Sequence, residues 1–370
     1  MKHKYRNFII ISFAIILTIN AVPSVLGKTR RSYLMDFILN TEVKDEGFSN
    51  GISDKGGEEQ ISLEATAHAL SILKDMGANL NDFTSMDTEL EERIGDMFDS
   101  SLVNIYDLYY LLKSLNLLDS PIASSLKNRI YEFLNETAQP TGGFSFSNTT
   151  HLSSLTCTYY AIQIYSLIDQ PIANISTHKN WVLSCNNTDG GYGGNQTLSS
   201  TSFDTSIAVF ILADERFGDI NDLVDIDKTL EYLKSFYVND SANLDNYGGF
   251  LPSELAGNAL LSSTYYCVKA ISLIDIKALD TQRIVSWVLK HQNFEDGGFM
   301  ETLQPGQSTI SSIIASYHAF ETLKTLQPTL VSLNNDIGMV EFNYLILGVV
   351  LGSIGLIIAI AVFLWKRRRI

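Results

Sequence analysis

Three side chains of the types that hold metal ions fall at matching positions in this 370-residue sequence. Glu64 lies four residues before His68, so a helix would place both side chains on one face. His318 holds the same position in the last of six internal repeats as His68 holds in the first. These two repeats become neighbours if the six close into a ring. One carboxylate and two imidazoles suit zinc. The sequence predicts that Glu64, His68 and His318 meet, either around zinc or as histidines that each pack with one hydrogen bond; no other cofactor is predicted.

Tyrosine pairs hold the corresponding position in other repeats. The six equivalent dipeptides are Ala67-His68, Tyr109-Tyr110, Tyr159-Tyr160, Asp204-Thr205, Tyr265-Tyr266 and Tyr317-His318. Tyr109, Tyr159 and Tyr265 are predicted either to line a lumen that binds a ligand or to pack between helices. Asp204 is a carboxylate on an otherwise uncharged helix. It is predicted either to contact a ligand or to be an acid favoured at a helix start by the helix dipole.

Paired glycines followed by an aromatic residue mark the repeats. Paired glycines suit a chain reversal with positive φ. The second glycines of four such turns are Gly143, Gly191, Gly249 and Gly298, and steps of 48 residues back from the first reach Gly95 and Gly47. Six units of about 48 residues therefore fill the chain between its ends, with one insertion near residues 238–246.

Each unit is predicted to be a pair of helices, and no stretch alternates for long enough to predict a strand. The second helix of each pair is nearly uncharged, as in residues 158–167, and such a helix must be buried on all sides. The sequence thus predicts an all-α fold, an (α/α)6 toroid over residues 28–327 with the later helix of each pair inside. The predicted helices cover residues 29–40, 61–76, 87–98, 102–118, 121–136, 152–168, 171–186, 202–213, 221–237, 260–274, 276–292 and 308–326.

This order of outer helix, Gly-Gly-aromatic turn and Thr/Ser-Tyr-Tyr inner helix resembles the repeats of protein prenyltransferase β subunits. It also resembles the broader terpenoid cyclase α/α-toroid superfamily. The stretch from Trp287 to Phe299, with Gln292 before the glycines, is similar to a degenerate Gln/Trp motif of the cyclases. The resemblance covers about residues 29–327 and implies the toroid fold.

The catalytic residues that the resemblance implies are mostly not matched. Prenyltransferase β subunits bind zinc through Asp-x-Cys on one inner helix and a His on the next. Here Asp204 is followed by Ser206 in place of the cysteine, and residues 262–265 contain no histidine. A diphosphate needs converging cations, whereas Lys74, Lys113, Lys269 and Lys324 are placed at the helix ends remote from the turns. A diphosphate site is therefore not predicted.

Three functions remain as hypotheses. The first is a non-catalytic module that binds a ligand, such as a lipid or isoprenoid, or a protein. The second is a diverged enzyme of the prenyltransferase and terpene cyclase group that acts on an isoprenoid or lipid. The third, a polysaccharide hydrolase, would need two facing carboxylates, for which Glu64, Asp107 and Asp204 are the candidates. A polar cluster converging on one mouth of the lumen would favour an enzyme, and an apolar, tyrosine-lined pocket would favour a binder.

The two ends of the chain predict a membrane protein. Residues 1–27 are basic, then apolar, then small, as in a secretory signal; an uncleaved anchor is the alternative. Residues 342–365 lack charge and are long enough to span a bilayer, after a tether at 328–341. The basic residues of the tail, 366–370, should stay cytoplasmic. The sequence predicts a single-pass cell-membrane protein with an extracytoplasmic toroid and six candidate glycosylation sites at turns: Asn135, Asn148, Asn174, Asn186, Asn195 and Asn239.

Charge and cysteine content add two limits. Seven of the 26 basic residues lie in the two ends, which leaves 19 basic against 41 acidic residues in the outer domain, a net charge of −22. Nucleic acid is therefore not a predicted partner. Cys157, Cys185 and Cys267 are odd in number and widely spaced, so a disulfide framework is not predicted. One disulfide with one free thiol remains open.

Overall fold

The computed structural model describes residues 28–52, 61–217, 220–222, 225–303 and 310–335. The predicted signal, the predicted span at 342–365 and the basic tail lie outside these residues. In the described part, no helix is long and apolar enough to cross a membrane. The chain divides into two compact units, one made of Met1–Arg31 with Leu333–Ile370 and the other of Ser32–Ser332. In the first, the Arg30 amide donates to the Asn335 carbonyl; the second is the helical domain described below.

Twelve α-helices lie in the described residues. They are α1 Arg30–Asn40, α2 Leu63–Asp75, α3 Met86–Asp99, α4 Ile105–Leu117, α5 Ser124–Thr137, α6 Leu155–Leu167, α7 Ile175–Ser184, α8 Ser202–Leu212, α9 Ile226–Lys234, α10 Leu261–Asp275, α11 Thr281–Lys290 and α12 Ile313–Leu326. Short 3₁₀ turns cover Leu80–Phe83, Ile220–Asp222, Ile276–Ala278 and Val331–Asn334. The strands β1 Glu42–Val43 and β2 Gly47–Phe48 pair antiparallel. The prediction of no strand was wrong in this detail, because the chain folds back tightly at the glycine turn and its two arms pair.

The even-numbered helices form a closed inner ring. Each packs against the next, from α2 through α12, and α12 packs against α2. The ring also closes through the backbone. The Ile313 amide donates to the Asn50 carbonyl at 2.7 Å, just as Leu155 donates to Gly194 and Leu261 to Glu301 in neighbouring units. The predicted α/α toroid, with the later helix of each pair inside, is confirmed.

The inner helices begin at polar capping residues, a few residues later than predicted at most positions. Ser62, Asn104, Ser154, Thr201 and Ser312 each accept a hydrogen bond from the third backbone amide of their helix. Leu260 offers no such oxygen before α10. There Glu301 of the next unit accepts from the Ser262 amide at 2.9 Å and from its hydroxyl. Residues ahead of the caps belong to the turns, so the predicted starts fell too early.

A repeated hydrogen bond fixes each glycine turn to its inner helix. The amide of the aromatic residue after the glycines donates to a hydroxyl in the first turn of the following helix. The pairs are Phe48 with Thr66, Phe144 with Thr158, Tyr192 with Thr205, Phe250 with Thr264, and Phe299 with Ser316, at 2.9–3.0 Å. The second unit has no such turn. Gly95, predicted to lie in one, is inside α3, and the chain reverses at Ser101 with φ 59°.

The glycines themselves make room for an aromatic side chain of the next outer helix. A Cβ on Gly249 would lie 2.6 Å from Cε2 of Trp287, and one on Gly143 would lie 2.8 Å from Cε3 of Trp181. The indole of Trp287 is buried and donates to the Asp245 carbonyl at 2.8 Å. The glycine pairs therefore serve the packing between consecutive units.

We expect Thr264→Val to lower the free energy of unfolding by about 1–3 kcal/mol, because it leaves the buried Phe250 amide without an acceptor while preserving side-chain shape. Thr88→Val, at an exposed position of α3, is the matched control and should change stability by less than about 0.5 kcal/mol. Urea unfolding followed by circular dichroism measures both. Equal effects of the two substitutions would show that the repeated bond does not stabilise the turn.

Candidate functional site

A cavity of about 290 Å³ lies at the centre of the inner ring. We number positions from the residue just before each inner helix, taken as zero. In this numbering, the residues that line the cavity recur at the same positions of successive helices. The fifth and sixth positions supply His68, Tyr109, Tyr110, Tyr159, Tyr160, Tyr265, Tyr266, Tyr317 and His318. The ninth position supplies a second layer: Ser71, Lys113, Gln163, Phe210, Lys269 and Glu321. Of the candidate lining residues, Tyr109, Tyr159, Tyr265, His68 and His318 lie in this wall.

Asp204 does not belong to this wall. Thr201 caps α8, so the fifth and sixth positions of this unit are Ser206 and Ile207, and Asp204 lies two residues too early. The Thr201 hydroxyl donates to the Asp204 carboxylate at 2.7 Å, and burial raises the pKa of that carboxyl. Asp204 is thus an acid of the first helical turn, and Phe210 is the residue through which α8 reaches the cavity. Of the two alternatives predicted for Asp204, its position in the first helical turn matches the acid at a helix start.

Glu64 organises a hydrogen-bonded network at one end of the cavity. Tyr106 donates to Glu64 Oε2 at 2.7 Å, and Tyr110 donates to Oε1 at 2.8 Å. Oε1 also lies 3.4 Å from His68 Nε2, and the hydroxyls of Tyr110 and Tyr160 are 3.1 Å apart. Burial raises the pKa of Glu64, but the bonds from His68, Tyr106 and Tyr110 outweigh this and lower it to about 2. Glu64 is therefore ionised, and it is not among the residues that line the cavity.

The two histidines stack on tyrosines. The ring of His68 lies 3.7 Å from that of Tyr317, and the ring of His318 lies 5.1 Å from that of Tyr265, centroid to centroid. Burial lowers the pKa of His68 to about 4 and that of His318 to about 3, so both rings are neutral at pH 7. The rings of His68 and His318 are 6.4 Å apart. Within the described residues, no group of three His, Cys, Asp or Glu side chains could hold a metal ion. Glu64 meets His68 as predicted, but tyrosine hydroxyls complete its contacts.

Two lysines face the cavity without a carboxylate partner. Lys113 Nζ lies 3.4 Å from the Tyr317 hydroxyl and 4.9 Å from the centre of its ring. Lys269 Nζ donates to the Tyr265 hydroxyl at 3.2 Å and lies 5.6 Å from the ring of Phe210. Across the described part of the chain, neither ammonium group has a carboxylate within 4 Å. Both side chains are half-buried, and a cationic group that loses part of its hydration is stabilised by a counter-charge, so this pair is a candidate anion site.

The pKa values of the two lysines are shifted in opposite directions. Burial, followed by repulsion from Lys269, lowers the pKa of Lys113 to about 8. Burial also lowers the pKa of Lys269, but the oxygens of Tyr265 and Tyr159 and the charge of Glu321 raise it by more. Lys269 therefore remains a cation at neutral pH, whereas Lys113 holds its proton weakly.

The rim of the cavity lies at the C-terminal ends of the inner helices. There Lys324 Nζ is 2.6 Å from Asp75 Oδ2 and 3.4 Å from Glu321 Oε1. The side chain of Lys324 is 41% exposed, so its charge is both paired and solvated. The paired rim lysine thus contrasts with the unpaired Lys113 and Lys269 inside.

The sequence places these lysines at the helix ends remote from the turns and on that ground predicts no diphosphate site. Lys113 and Lys269 lie in the middle part of their helices and Lys324 lies in the last turn of its helix, and all three line the cavity. The sequence indicates this placement for two of them, because Lys113 and Lys269 each lie nine residues after the residue that precedes their helix. One further turn of helix beyond the tyrosine pair returns a side chain to the same face.

The carboxylates proposed for a hydrolase do not face one another. Asp107 lies near Leu102 at an outer groove of α4 and binds the Asn104 amide. Glu64 is not among the residues that line the cavity, and Asp204 lies in the first turn of α8. Among the described residues that line the cavity, Glu321 is the carboxylate. The two facing carboxylates that glycoside hydrolysis requires are therefore not formed by these candidates.

The three cysteines are free: Cys157 is partly buried, and Cys185 and Cys267 are buried. Five candidate glycosylation sites, Asn135, Asn148, Asn174, Asn186 and Asn239, are exposed, and Asn195 is half-buried. Asn135 lies within α5 rather than at a turn, contrary to expectation.

The chain matches a family model described as the prenyltransferase alpha-alpha toroid domain, over residues 4–100, 83–240, 173–297 and 244–343. No curated protein matches it by sequence. Among solved structures, it is similar to Candida albicans protein geranylgeranyltransferase-I complexed with GGPP, with 18% identity and a TM-score of 0.56. That alignment covers 76% of this chain and 90% of the other.

Two further structures share the fold at lower identity. A type II terpene cyclase from Scytonema, in complex with the substrate geranylgeranyl dihydroxybenzoate, has 11% identity and a TM-score of 0.54, with 82% of this chain and 96% of the other covered. The GH76A α-1,6-mannanase from Salegentibacter sp. HEL1_6 has 13% identity and a TM-score of 0.55, with 81% and 98% covered. Since these proteins act on different substrates, their likeness establishes the fold alone.

Proposed function

Because the chain belongs to the prenyltransferase α/α-toroid family, we propose that its central cavity is a binding site for a small organic anion. The observation that carries this proposal is the pair Lys113 and Lys269, two cavity-facing cations without a carboxylate partner in the described residues. An anion between them would supply the missing charge, and hydroxyls of Tyr265 and Tyr317 stand beside the two ammonium groups. The rings of the tyrosine pairs would contact the body of the ligand.

The size of the cavity limits the ligand. A volume of about 290 Å³ is near the lower end for pockets that enclose small organic molecules. The neighbour complexed with GGPP makes prenyl diphosphates the first class to test, and the cavity favours a short prenyl chain over a long one. Inorganic diphosphate and dimethylallyl diphosphate are therefore suitable probes, and isothermal titration calorimetry is the measurement. Failure of both to bind at millimolar concentration would contradict the proposal.

Affinity for such an anion should fall as the pH rises above about 8. The pKa of Lys113 is about 8, so below that value Lys113 is charged and attracts the anion, and above it the charge disappears. Titrations between about pH 6.5 and 9.5 should show a loss of about tenfold or more across this range. Affinity that stays constant over the range would mean that Lys113 does not contact the anion.

Catalysis on the bound anion is the second candidate function. A polar cluster of Lys113, Lys269, Glu321 and Lys324 converges toward one end of the cavity, and such a cluster is typical of an enzyme. The tyrosine-lined pocket itself fits a binder equally. An assay of diphosphate release from a prenyl diphosphate separates the two functions. Release indicates an enzyme, and binding without release indicates a binder.

We further propose that the toroid lies outside the cytoplasm on a membrane anchor formed by residues 342–365. The uncharged run followed by Lys366 to Arg369 supports this orientation. Exposed asparagines at Asn148, Asn174 and Asn239 are suitable for glycan attachment. Treatment of the expressed protein with an endoglycosidase should lower its apparent mass, and protease added to intact cells should remove the toroid. Protection from protease would contradict this orientation.

A further inference from the structure

The environment of Lys113 is that of a reactive amine. Its side chain points into a cavity walled by tyrosine rings, and its Nζ lies 3.4 Å from the Tyr317 hydroxyl. A second cation, Lys269, lines the same cavity. A lysine next to another cationic group loses its proton more readily and becomes a nucleophile. An exposed lysine such as Lys228, 59% exposed and 3.3 Å from Asp225, has neither property.

We propose that Lys113 forms an imine with a small aldehyde or ketone that carries an anionic group, while Lys269 holds the anion. This inference rests on the proposed anion-binding cavity and names the class of ligand that the cavity accepts. The carbonyl group is placed at Lys113 because this lysine can be neutral. The carboxylate or phosphate is placed at Lys269 because this lysine keeps its charge.

The reaction needs no partner beyond the carbonyl compound. The lone pair of neutral Nζ attacks the carbonyl carbon and forms a C–N bond, and the carbonyl π electrons move to oxygen. The two hydrogens of the amine leave with that oxygen as water, and a C=N bond remains. The Tyr317 hydroxyl, 3.4 Å from Nζ, is placed to pass a proton from nitrogen to oxygen during the loss of water.

The groups that face Lys113 come from several helices and act in both directions. Lys269 on α10 disfavours the charged form, whereas Glu64 and Asp75 on α2 and Glu321 on α12 favour it. The neutral His68 on α2 and the tyrosines of α6, α10 and α12 add no net charge at neutral pH. Burial outweighs the attraction of the carboxylates and brings the pKa of Lys113 to about 8. At pH 7.4 roughly a fifth of Lys113 is then neutral, against about a thousandth of an ordinary lysine.

Reductive labelling of the intact protein tests this inference. Glyoxylate is added with sodium cyanoborohydride, and each lysine-containing peptide is quantified by mass spectrometry. We expect Lys113 to be modified at least about tenfold faster than the exposed Lys228 and Lys290 at pH 7.4. Its rate should level off above about pH 8, while the rates of the exposed lysines keep rising toward pH 10. Lys113→Arg should abolish the fast modification at this position and leave the modification rates of the other lysines unchanged. Modification of Lys113 at the rate and with the pH profile of Lys228 would overturn the proposal.

A neutral aldehyde separates this inference from the anion site on which it rests. Glycolaldehyde resembles glyoxylate in size but lacks its charge. Faster labelling of Lys113 by glyoxylate than by glycolaldehyde, with the difference lost in Lys269→Met, supports both proposals. Equal rates with the two reagents would overturn the anion site and leave the reactive amine. Unlabelled Lys113 in a protein that binds diphosphate by calorimetry would overturn the imine and leave the anion site.

Discussion

Replacing Lys113 with methionine should make the empty protein more stable and at the same time weaken its affinity for anions. Methionine fills a similar volume and needs no counter-charge, whereas the ammonium group belongs to a half-buried side chain that shares its cavity with a second cation. We expect a gain of about 1–3 kcal/mol in the free energy of unfolding at pH 7. Affinity for diphosphate should fall roughly 10- to 150-fold, the usual cost of a lost charge-assisted hydrogen bond.

The pH dependence of this gain gives a second check on its cause. Because the pKa of Lys113 is lower in the folded protein than in the unfolded chain, its proton destabilises the fold below about pH 8. This penalty fades as the pH rises toward the pKa of an ordinary lysine, about 10.4. The gain from Lys113→Met should therefore shrink between about pH 8 and 10.

Urea unfolding at several pH values measures the stability, and calorimetry measures the affinity. Lys228→Met is the matched control, because Lys228 is 59% exposed and pairs with Asp225 at 3.3 Å; its effect should stay below about 1 kcal/mol. If the Lys113→Met protein is less stable than the wild type, Lys113 stabilises the fold, and its role is not explained by ligand binding. An opposite sign for stability and binding is the mark of a functional group that strains the fold.

The fold was predictable because repetition imposes it. Six like units with buried second helices leave few arrangements besides a closed ring, and the Gly-Gly-aromatic turns marked four of those units directly. Gly95 misled the count for the second unit, since a period alone does not distinguish a turn glycine from one inside α3. The chemistry of the turn is the better guide: where the aromatic residue and its hydroxyl acceptor are missing, the turn is missing too.

The site was predictable only in part, because equivalent positions in different helices were assigned by counting from one helix end. The result depends on whether the count begins at the start or at the end of each helix. Counting back from helix ends placed the tyrosine pairs correctly but slipped by two residues in α8, where Asp204 was chosen. Counting forward from Thr201 gives Phe210 at the ninth position and Lys113 and Lys269 at the same position of their helices. Capping side chains fix a helix start to one residue, whereas helix lengths differ from unit to unit.

The network around Glu64 could not be read from the sequence, since it joins three successive inner helices, α2, α4 and α6. Tyr106 and Tyr110 on α4 both donate to a carboxylate on α2. A single glutamate at four residues from a histidine suggested a metal ligand, but three donors already satisfy its oxygens. Charge on this carboxylate instead fixes the tautomer of His68, because Nε2 must carry the hydrogen that faces Oε1.

Removing this carboxylate should have a large effect on stability. We expect Glu64→Ala to lower the free energy of unfolding by about 3 kcal/mol, because Tyr106, Tyr110 and His68 lose their shared acceptor in a mostly buried site. Glu64→Gln keeps one acceptor oxygen and should cost about half as much. Glu231→Ala, at an exposed position of α9, is the matched control and should change stability by less than about 0.5 kcal/mol.

Acid titration identifies the charge as the cause. The pKa of Glu64 is lowered from 4.5 to about 2, so its stabilising effect is complete above about pH 4.5 and is lost as the pH falls toward 2. The difference in unfolding free energy between the wild-type protein and Glu64→Gln should therefore shrink over that range. Urea unfolding at pH values on both sides of it provides the measurement. A difference that is the same at low and neutral pH would mean that shape, and not the ionised carboxylate, is what the tyrosines and His68 require from this position.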